Sequence, residues 1–497
     1  LKEGADSEFA KAIATYLGLA VDEIARFTAV LNPWKVDAEA VVHIFGRQAL
    51  PMLWDYFEGI PIGTHGGTWE HRLSEIIEVV SNLDLGHQNA TVTHGSATEL
   101  PWPGNHFDAV LTDPPYYDSV PYADLSDFFY VWLKRTVGSL YPDLFATPLT
   151  PKSQEMVADA IRQDGKDAAK AFFEQMLTRA FCEIHRVLKP EGITVIVFAH
   201  KTTEAWEVIV NSLLKAGLYM TASWPIHTEM QARLRAQETA SLASSIYMVC
   251  RKRTADEAGE FSNVRREIGE RVQQKLAQFW EAGIRGADFF MSAIGPAVEA
   301  FGKYSKVERL SGEEVKVPEL LSEVRRVVSE FALERILKQA ELGGVDAHTR
   351  FYLLYRWTYN QTKVHFDEAR KLSQGVGVEL ADLWQPGGIV LKEKEYVRVP
   401  SPSERARDAS FSRRSEFRTM IDALHRAVAL WEQNEQKKLS EHLSETYGGN
   451  EAFWQVAQAI AEVLPEGDKE RQLVQGLLYG RKRSPGERQV ELFTKQA

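Results

Sequence analysis

The chain has 497 residues, 44% of them hydrophobic and 26% charged, with a net charge of −11 at pH 7. That length exceeds one ordinary domain, the balance excludes a fibrous or disordered protein, and no run approaches the roughly 20 uninterrupted apolar residues of a membrane helix. Residues 1–250 hold 19 Lys+Arg against 31 Asp+Glu and residues 251–497 hold 39 against 38, which makes the front half a poor non-specific binder of nucleic acid.

Residues 1–88 are predicted as a helical segment, with apolar residues three and four apart in AKAIATYLGLAVDEIARFTAVL and again in WEHRLSEIIEVVSNL. From 89 to 253 strands alternate with helices. ATVTH, FDAVLTD, GITVIVFAH, LYMTASWPI and SSIYMVCRKR read as five strands. FFEQMLTRAFCEIHRVL and WEVIVNSLLKAG read as crossover helices, the first stopped by Lys189-Pro190-Glu191-Gly192. This predicts an α/β fold with a parallel sheet, its last two strands pairing antiparallel at the edge. Residues 254–345 are predicted helical, with two long amphipathic helices joined through Gly295-Pro296. Residues 346–402 run helix, helix, hairpin, the order of a winged helix, and 403–497 return to helix.

Two cysteines, Cys182 and Cys250, form no disulfide framework and no four-cysteine zinc site, which predicts a cytoplasmic protein. His65 and His71 lack partners at ligand spacing, so no metal is expected. Phe128, Phe129 and Trp132 are read as helix core before base-stacking residues.

The chemistry is carried by Asp113, Pro114, Pro115 and Tyr116, at the carboxyl end of the strand FDAVLT, where open α/β sheets bind ligands. Read blandly, this is a strand-terminal aspartate before a Pro-Pro turn. The residue types also suit methyl transfer to an exocyclic amino group of a nucleobase. That nitrogen is a weak nucleophile because its lone pair is delocalised into the ring. Acceptance of its hydrogens by the Asp113 carboxylate and the Pro114 carbonyl localises the pair. The prolines fix the backbone that holds both acceptors, and Tyr116 stacks on a base taken out of the duplex. Tyr117, Asp118, Tyr122 and Asp124, in the stretch that follows, are expected to line the base pocket.

The run from Gly95 to Gly192 resembles the S-adenosylmethionine-dependent methyltransferase fold, and the tetrad is similar to the catalytic motif of amino-methylating DNA methyltransferases. FGRQALPMLW (45–54), YDSVPYADLSDFFYVW (117–132) and GADFFMSAIGP (286–296) resemble the large prokaryotic adenine-specific DNA methylases found near phage-defence genes. The resemblance implies a Rossmann-like sheet, S-adenosylmethionine as cofactor, DNA as partner and Asp113–Tyr116 as catalytic residues, Asp113 also lying at the cofactor. It places Ser96 at the cofactor's adenine, where the usual residue is acidic. The Phe-x-Gly-x-Gly loop of the family is absent; Gly63 to Gly67 and Phe45-Gly46 have neither its spacing nor a preceding strand. The acidic residue expected on the ribose and the zinc ribbon are also missing, and five strands stand where the fold has seven. The chain is therefore expected to be the C-terminal part of the enzyme. Its cofactor loop would lie on a missing N-terminal half or on a partner subunit, other defence proteins would be further partners, and S-adenosylmethionine would bind weakly or not at all.

The expected activity is methylation of adenine N6 in DNA, in phage defence or restriction-modification. The cytosine amino group, a catalytically silent DNA-recognition or scaffold subunit, and a small-molecule or RNA methylase are the alternatives. Residues 391–420 carry eight Lys+Arg against five Asp+Glu. Lys392, Lys394 and Arg398 on the hairpin, with Arg405, Arg407, Arg413 and Arg414 beyond it, form the candidate DNA-binding stretch; its bland reading is a solvated charged loop.

Overall fold

The computed structural model describes residues 6–36, 39–45, 49–54, 57–83, 90–117, 120–200, 203–227, 244–253, 257–338 and 342–482. The chain divides into two units, Leu1–Ser96 with Pro115–Met176, and Ala97–Pro114 with Leu177–Ala497. Among the described residues no helix is long and apolar enough to cross a membrane.

In the first unit the periodic stretch forms α1 (Ser7–Thr28), started by Asp6, whose carboxylate accepts from the Glu8 N–H at 3.1 Å. Two-residue strands β1 (Trp34–Lys35) and β2 (Ala40–Val41) pair antiparallel, and α2 (Trp69–Asn82) packs on α1. The third helix, α3, is Tyr122–Thr136. Gly18 lets α1 come close to the end of α3, since a Cβ there would sit 2.9 Å from Val137 Cγ1. Phe45 packs on Phe128 and Phe129 with ring centroids 5.5 and 5.6 Å away, but both phenylalanines are only half-buried and Trp132, expected in the core with them, is 38% exposed, a correction set by where α3 meets solvent.

The second unit is built on a mixed sheet. Its strands are β3 (Phe107–Thr112), β4 (Leu188–Phe198, directly after α4, Lys166–Val187), β5 (Leu218–His227, after α5, Thr203–Lys215) and β6 (Ser244–Lys252). The order is β3-β4-β6-β5. β3 and β4 run parallel, and β6 is antiparallel to both β4 and β5. One expectation is corrected here. ATVTH forms no strand: residues 90–95 have no regular structure and Val92 is 94% exposed. A β-rich composition becomes a strand only where a ladder partner accepts it. The last two strands pair antiparallel at the edge as expected, with β5 outermost and the reversed β6 between it and β4. Burial explains the placement, because Ile246, Met248 and Cys250 are sealed between neighbours, and desolvation drives the Cys250 thiol up to about 12.

After β7 (Ala258–Glu260) come α6 (Phe261–Glu281), α7 (Gly286–Ser292), α8 (Ile294–Gly302), β8 (Lys306–Glu308, parallel to β7) and α9 (Val317–Leu337). The joint between the long helices is thus two short helices rather than a plain turn. Gly295 opens α8 against β5, where a Cβ would fall 1.9 Å from Ser223 Oγ. Further on are α10 (Ala347–Tyr359), β9 (Val364–His365), α11 (Phe366–Gly375), α12 (Leu380–Leu383), β10 (Leu391–Glu393) and β11 (Tyr396–Arg398), the strands forming a sheet of order β10-β11-β9. The rest is helical: α13 (Pro402–Arg407), α14 (Ala409–Ser412), α15 (Met420–Glu432), α16 (Gln436–Glu445), α17 (Glu451–Val463) and α18 (Lys469–Lys482). A buried polar network ties these helices. Arg356 of α10 pairs with Asp468 at 2.8 Å and Glu470 at 3.2 Å, and the Tyr352 hydroxyl donates to Glu470 at 2.5 Å. Arg405 of α13 pairs with Asp422 of α15 at 2.5 Å, donates to the Gly387 carbonyl at 2.7 Å and lies 3.0 Å from His425 Nδ1.

Candidate active site around Asp113

The start of β3 is clamped before the chemistry at its end. Glu183 accepts from the Leu100 N–H at 2.8 Å, while Arg186 donates to the carbonyls of Leu100 and Trp102 at 2.9 and 2.8 Å. The guanidinium of Arg186 holds the Glu183 carboxyl down at about 2. Lys189 pairs with Asp108 at 2.7 Å. Register then carries Val110, Leu111 and Thr112 alongside Thr194, Val195 and Ile196 of β4, and Asp113 is the first residue past the strand. Its carboxylate is exposed and has no hydrogen bond or ion pair with any described residue. This leaves the acceptor available.

Pro114, Pro115 and Tyr116 are half-buried, and the division between the units falls at the Pro114–Pro115 bond. Tyr117 has φ +57°, a left-handed conformation that non-glycine residues seldom adopt and that marks a constrained backbone. Its carbonyl accepts from the Ala158 N–H at 3.1 Å and its ring meets Phe173 edge-on at 5.3 Å. Asp118 lies outside the described residues. Tyr122 opens α3 with 54% of its surface exposed. Asp124 is an ion-pair partner of Arg162 at 2.6 Å.

Arg162 was not singled out by sequence, yet it organises the segment after the tetrad. Besides Asp124 it holds Glu155 at 2.5 Å and Asp159 at 3.3 Å. Glu155 in turn accepts from the Ala123 N–H at 2.7 Å, satisfying an orphan donor in the first turn of α3. One turn on, Asp127 accepts from Thr150 N at 2.9 Å and Lys152 at 2.7 Å; burial opposes its ionisation, but these bonds keep its carboxyl below the usual range. Residues 150–162 thus act as a brace for α3. The sequence signal was weak, a lone arginine in a polar loop.

Ser96 is exposed and sits at an isolated bridge, outside any strand. For S-adenosylmethionine, the fit fails on the described residues. The Gly63–Gly67 loop is closed on itself: the Gly63 N–H donates to Glu70 at 2.7 Å, and the Thr68 hydroxyl bonds the carbonyls of Gly63 and His65. It caps α2 rather than following a strand. Gly46 lies outside the described residues.

On the candidate DNA stretch, the structure commits several cations to partners within the protein. Lys392 sits over the rings of Phe366 and Trp384 at 5.1 and 4.7 Å, and Arg398 bonds Glu393 and Glu404. Arg405 is 2% exposed, a core residue. Arg414 pairs with Asp422 at 3.0 Å. Lys394, in the hairpin turn at φ +57°, and Arg407 and Arg413 are exposed.

No protein-family model, curated protein or solved structure matches this chain.

Proposed function

We propose that this chain supplies the target-amino side of a DNA amino-methyltransferase, with adenine N6 as the acceptor and the cytosine amino group as the alternative. The observation that carries the reading is the exposed Asp113 carboxylate, without a partner among the described residues, at the carboxyl end of a parallel strand and followed by Pro114, Pro115, Tyr116 and a left-handed Tyr117. Asp113 and the Pro114 carbonyl accept the amino hydrogens and localise the nitrogen lone pair, and Tyr116 stacks on the extruded base. Positioning and polarisation do most of the work.

Because the described residues do not fit the methyl donor, the reading places the donor, S-adenosylmethionine, on further polypeptide beside β3. That strand is the sheet edge, and Leu111 on it is 76% exposed, whereas strands of parallel pairs are normally covered. A second reading, a recognition subunit silent by itself, draws on the same closed Gly63–Gly67 loop. Work on DNA in phage defence or restriction-modification, in the cytoplasm of a prokaryote, is the setting that the resemblance supplies.

The test is transfer of labelled methyl groups from S-adenosylmethionine to duplex DNA, by this chain alone and together with the polypeptide encoded upstream or beside it. N6-methyladenine formed only by the combination is the expected result. Label on cytosine selects the alternative base, and no label under either condition overturns the enzyme.

A further inference from the structure

The second unit carries an arginine-rich trough that none of the tetrad residues lines. A cavity of about 460 Å³ is lined by Arg265 of α6, Arg309 just past β8, Arg325 and Arg326 of α9, and Lys371 of α11. A second cavity, of about 540 Å³, shares Phe261, Arg265, Arg309, Glu323 and Arg326 with the first and adds Arg266. Six cations border this joined depression, with Glu207, Glu319, Glu323 and Glu330 in its lining and Glu313 and Glu368 paired to Arg309, Arg325 and Lys371, in a chain of −11.

The way the charges are held is informative. Glu323 is the pivot: its side chain is 13% exposed and it accepts from Arg265 at 2.8 Å and Arg326 at 2.7 Å. Arg326 also reaches Glu330 at 2.7 Å, Arg309 pairs with Glu319, and Arg325 pairs with Glu368 at 3.1 Å. Arg266 is exposed, reaches Asn263 at 3.3 Å, and has no carboxylate at ion-pair distance among the described residues. The guanidiniums are therefore oriented in advance by carboxylates, and Arg265, half exposed and bonded to Glu323 through Nε, turns its terminal nitrogens to the trough without giving up that pair. Arginine forks match phosphate oxygens two at a time, which a lysine cluster does not.

We propose that this trough holds a run of phosphodiesters, the DNA backbone outside the target base. The inference rests on the DNA reading above and adds the place where the duplex is gripped. Two joined cavities and cations on three helices exceed what a single phosphate group engages, and they suit phosphates spaced along a strand. Phosphate oxygens meet the terminal nitrogens of Arg265 and the exposed Arg266 while Glu323 keeps its ion pairs.

The test is duplex-DNA affinity of the full chain across a salt series. Arg265→Gln with Arg266→Gln should lower the salt slope by about 1.8, at ~0.9 for each phosphate no longer neutralised. Glu323→Gln should act in the opposite direction and tighten binding several-fold, because it removes a negative charge beside the guanidiniums; a misfolded variant cannot produce that sign. Unchanged affinity and slope in the double variant, with normal binding by the parent chain, overturns the trough and leaves the DNA reading standing. Absence of duplex binding by the parent chain overturns both. Competition by a free nucleoside triphosphate as effective, per phosphate, as duplex DNA overturns the backbone assignment in favour of a nucleotide site.

Discussion

Asp113 and Arg414 are both charged residues in unwound segments, and their surroundings assign them opposite kinds of work. Asp113 has an exposed carboxylate with no described partner, so its removal costs the fold little. In the complemented enzyme Asp113→Ala is expected to lower methyl transfer by at least about 10²-fold, the scale of losing one charge-stabilising group. Duplex affinity should stay within about twofold; lost affinity with unchanged turnover would contradict the role. Arg414 shares Asp422 with the buried Arg405. Arg414→Ala should destabilise by about 1–3 kcal/mol in urea unfolding, the cost of leaving a partly buried acceptor short of its donor, without moving the salt dependence of DNA binding. The neighbouring Arg413→Ala, at an exposed position, should leave stability unchanged.

Among the elements, α3 is the one held by a brace, residues 150–162. Arg162 bonds three carboxylates from a side chain only 17% exposed. Arg162→Met should cost about 3 kcal/mol, since Glu155 at 12% exposure is left as an uncompensated buried charge. Arg162→Lys should recover only part of it, because a point charge cannot fork to several acceptors; full recovery in a denaturation series would make the brace merely electrostatic. Four of the strands were legible because apolar runs such as GITVIVFAH carry their own signal. ATVTH failed for want of a ladder partner, and the internal place of β6 was not legible because strand order is set by packing between distant segments. At the site the tetrad was readable as a local motif, whereas its brace joins residues more than 30 positions apart. The basic stretch was legible only as a count, for a related reason. A count of charges does not say which side chain turns inward, and Arg405 did. The Arg-Arg pairs at 265–266 and 325–326 were visible in the sequence, but nothing local shows that they border one depression.

At the scale of the whole molecule, the buried network predicts sensitivity to acid. His425 is sealed between helices, and burial first, then the charges of Arg405 and Arg356, push its imidazole well below its usual 6.5. The folded chain thus holds it neutral while the unfolded chain takes up a proton near pH 6.5. The stabilisation from the neutral ring is full above that pH and is lost as pH falls below it, by up to about 1.4 kcal/mol per pH unit. Glu470, raised by burial, contributes with the opposite sign. Comparing urea midpoints at pH 7.5 and 5.5 for the parent chain and His425→Gln isolates the imidazole. The parent should lose more stability than the variant, and equal losses would assign the acid response elsewhere.

The internal position of β6 also bears on how the sheet comes into being during translation. β5 emerges first, yet its one partner in the finished sheet is β6, which begins 17 positions after His227. At ribosomal rates of ~5–20 residues per second, the pairing edges of both β4 and β5 wait on the order of seconds with apolar Leu218, Met220 and Ile196 still uncovered. Folding cannot then follow the order of synthesis: it closes in one step, when β6 slides between two strands already made. Until that moment the nascent chain presents two open ladders, and chaperones that hold extended apolar segments have their longest opportunity there. A chain released before Ser244 would keep both ladders open for good.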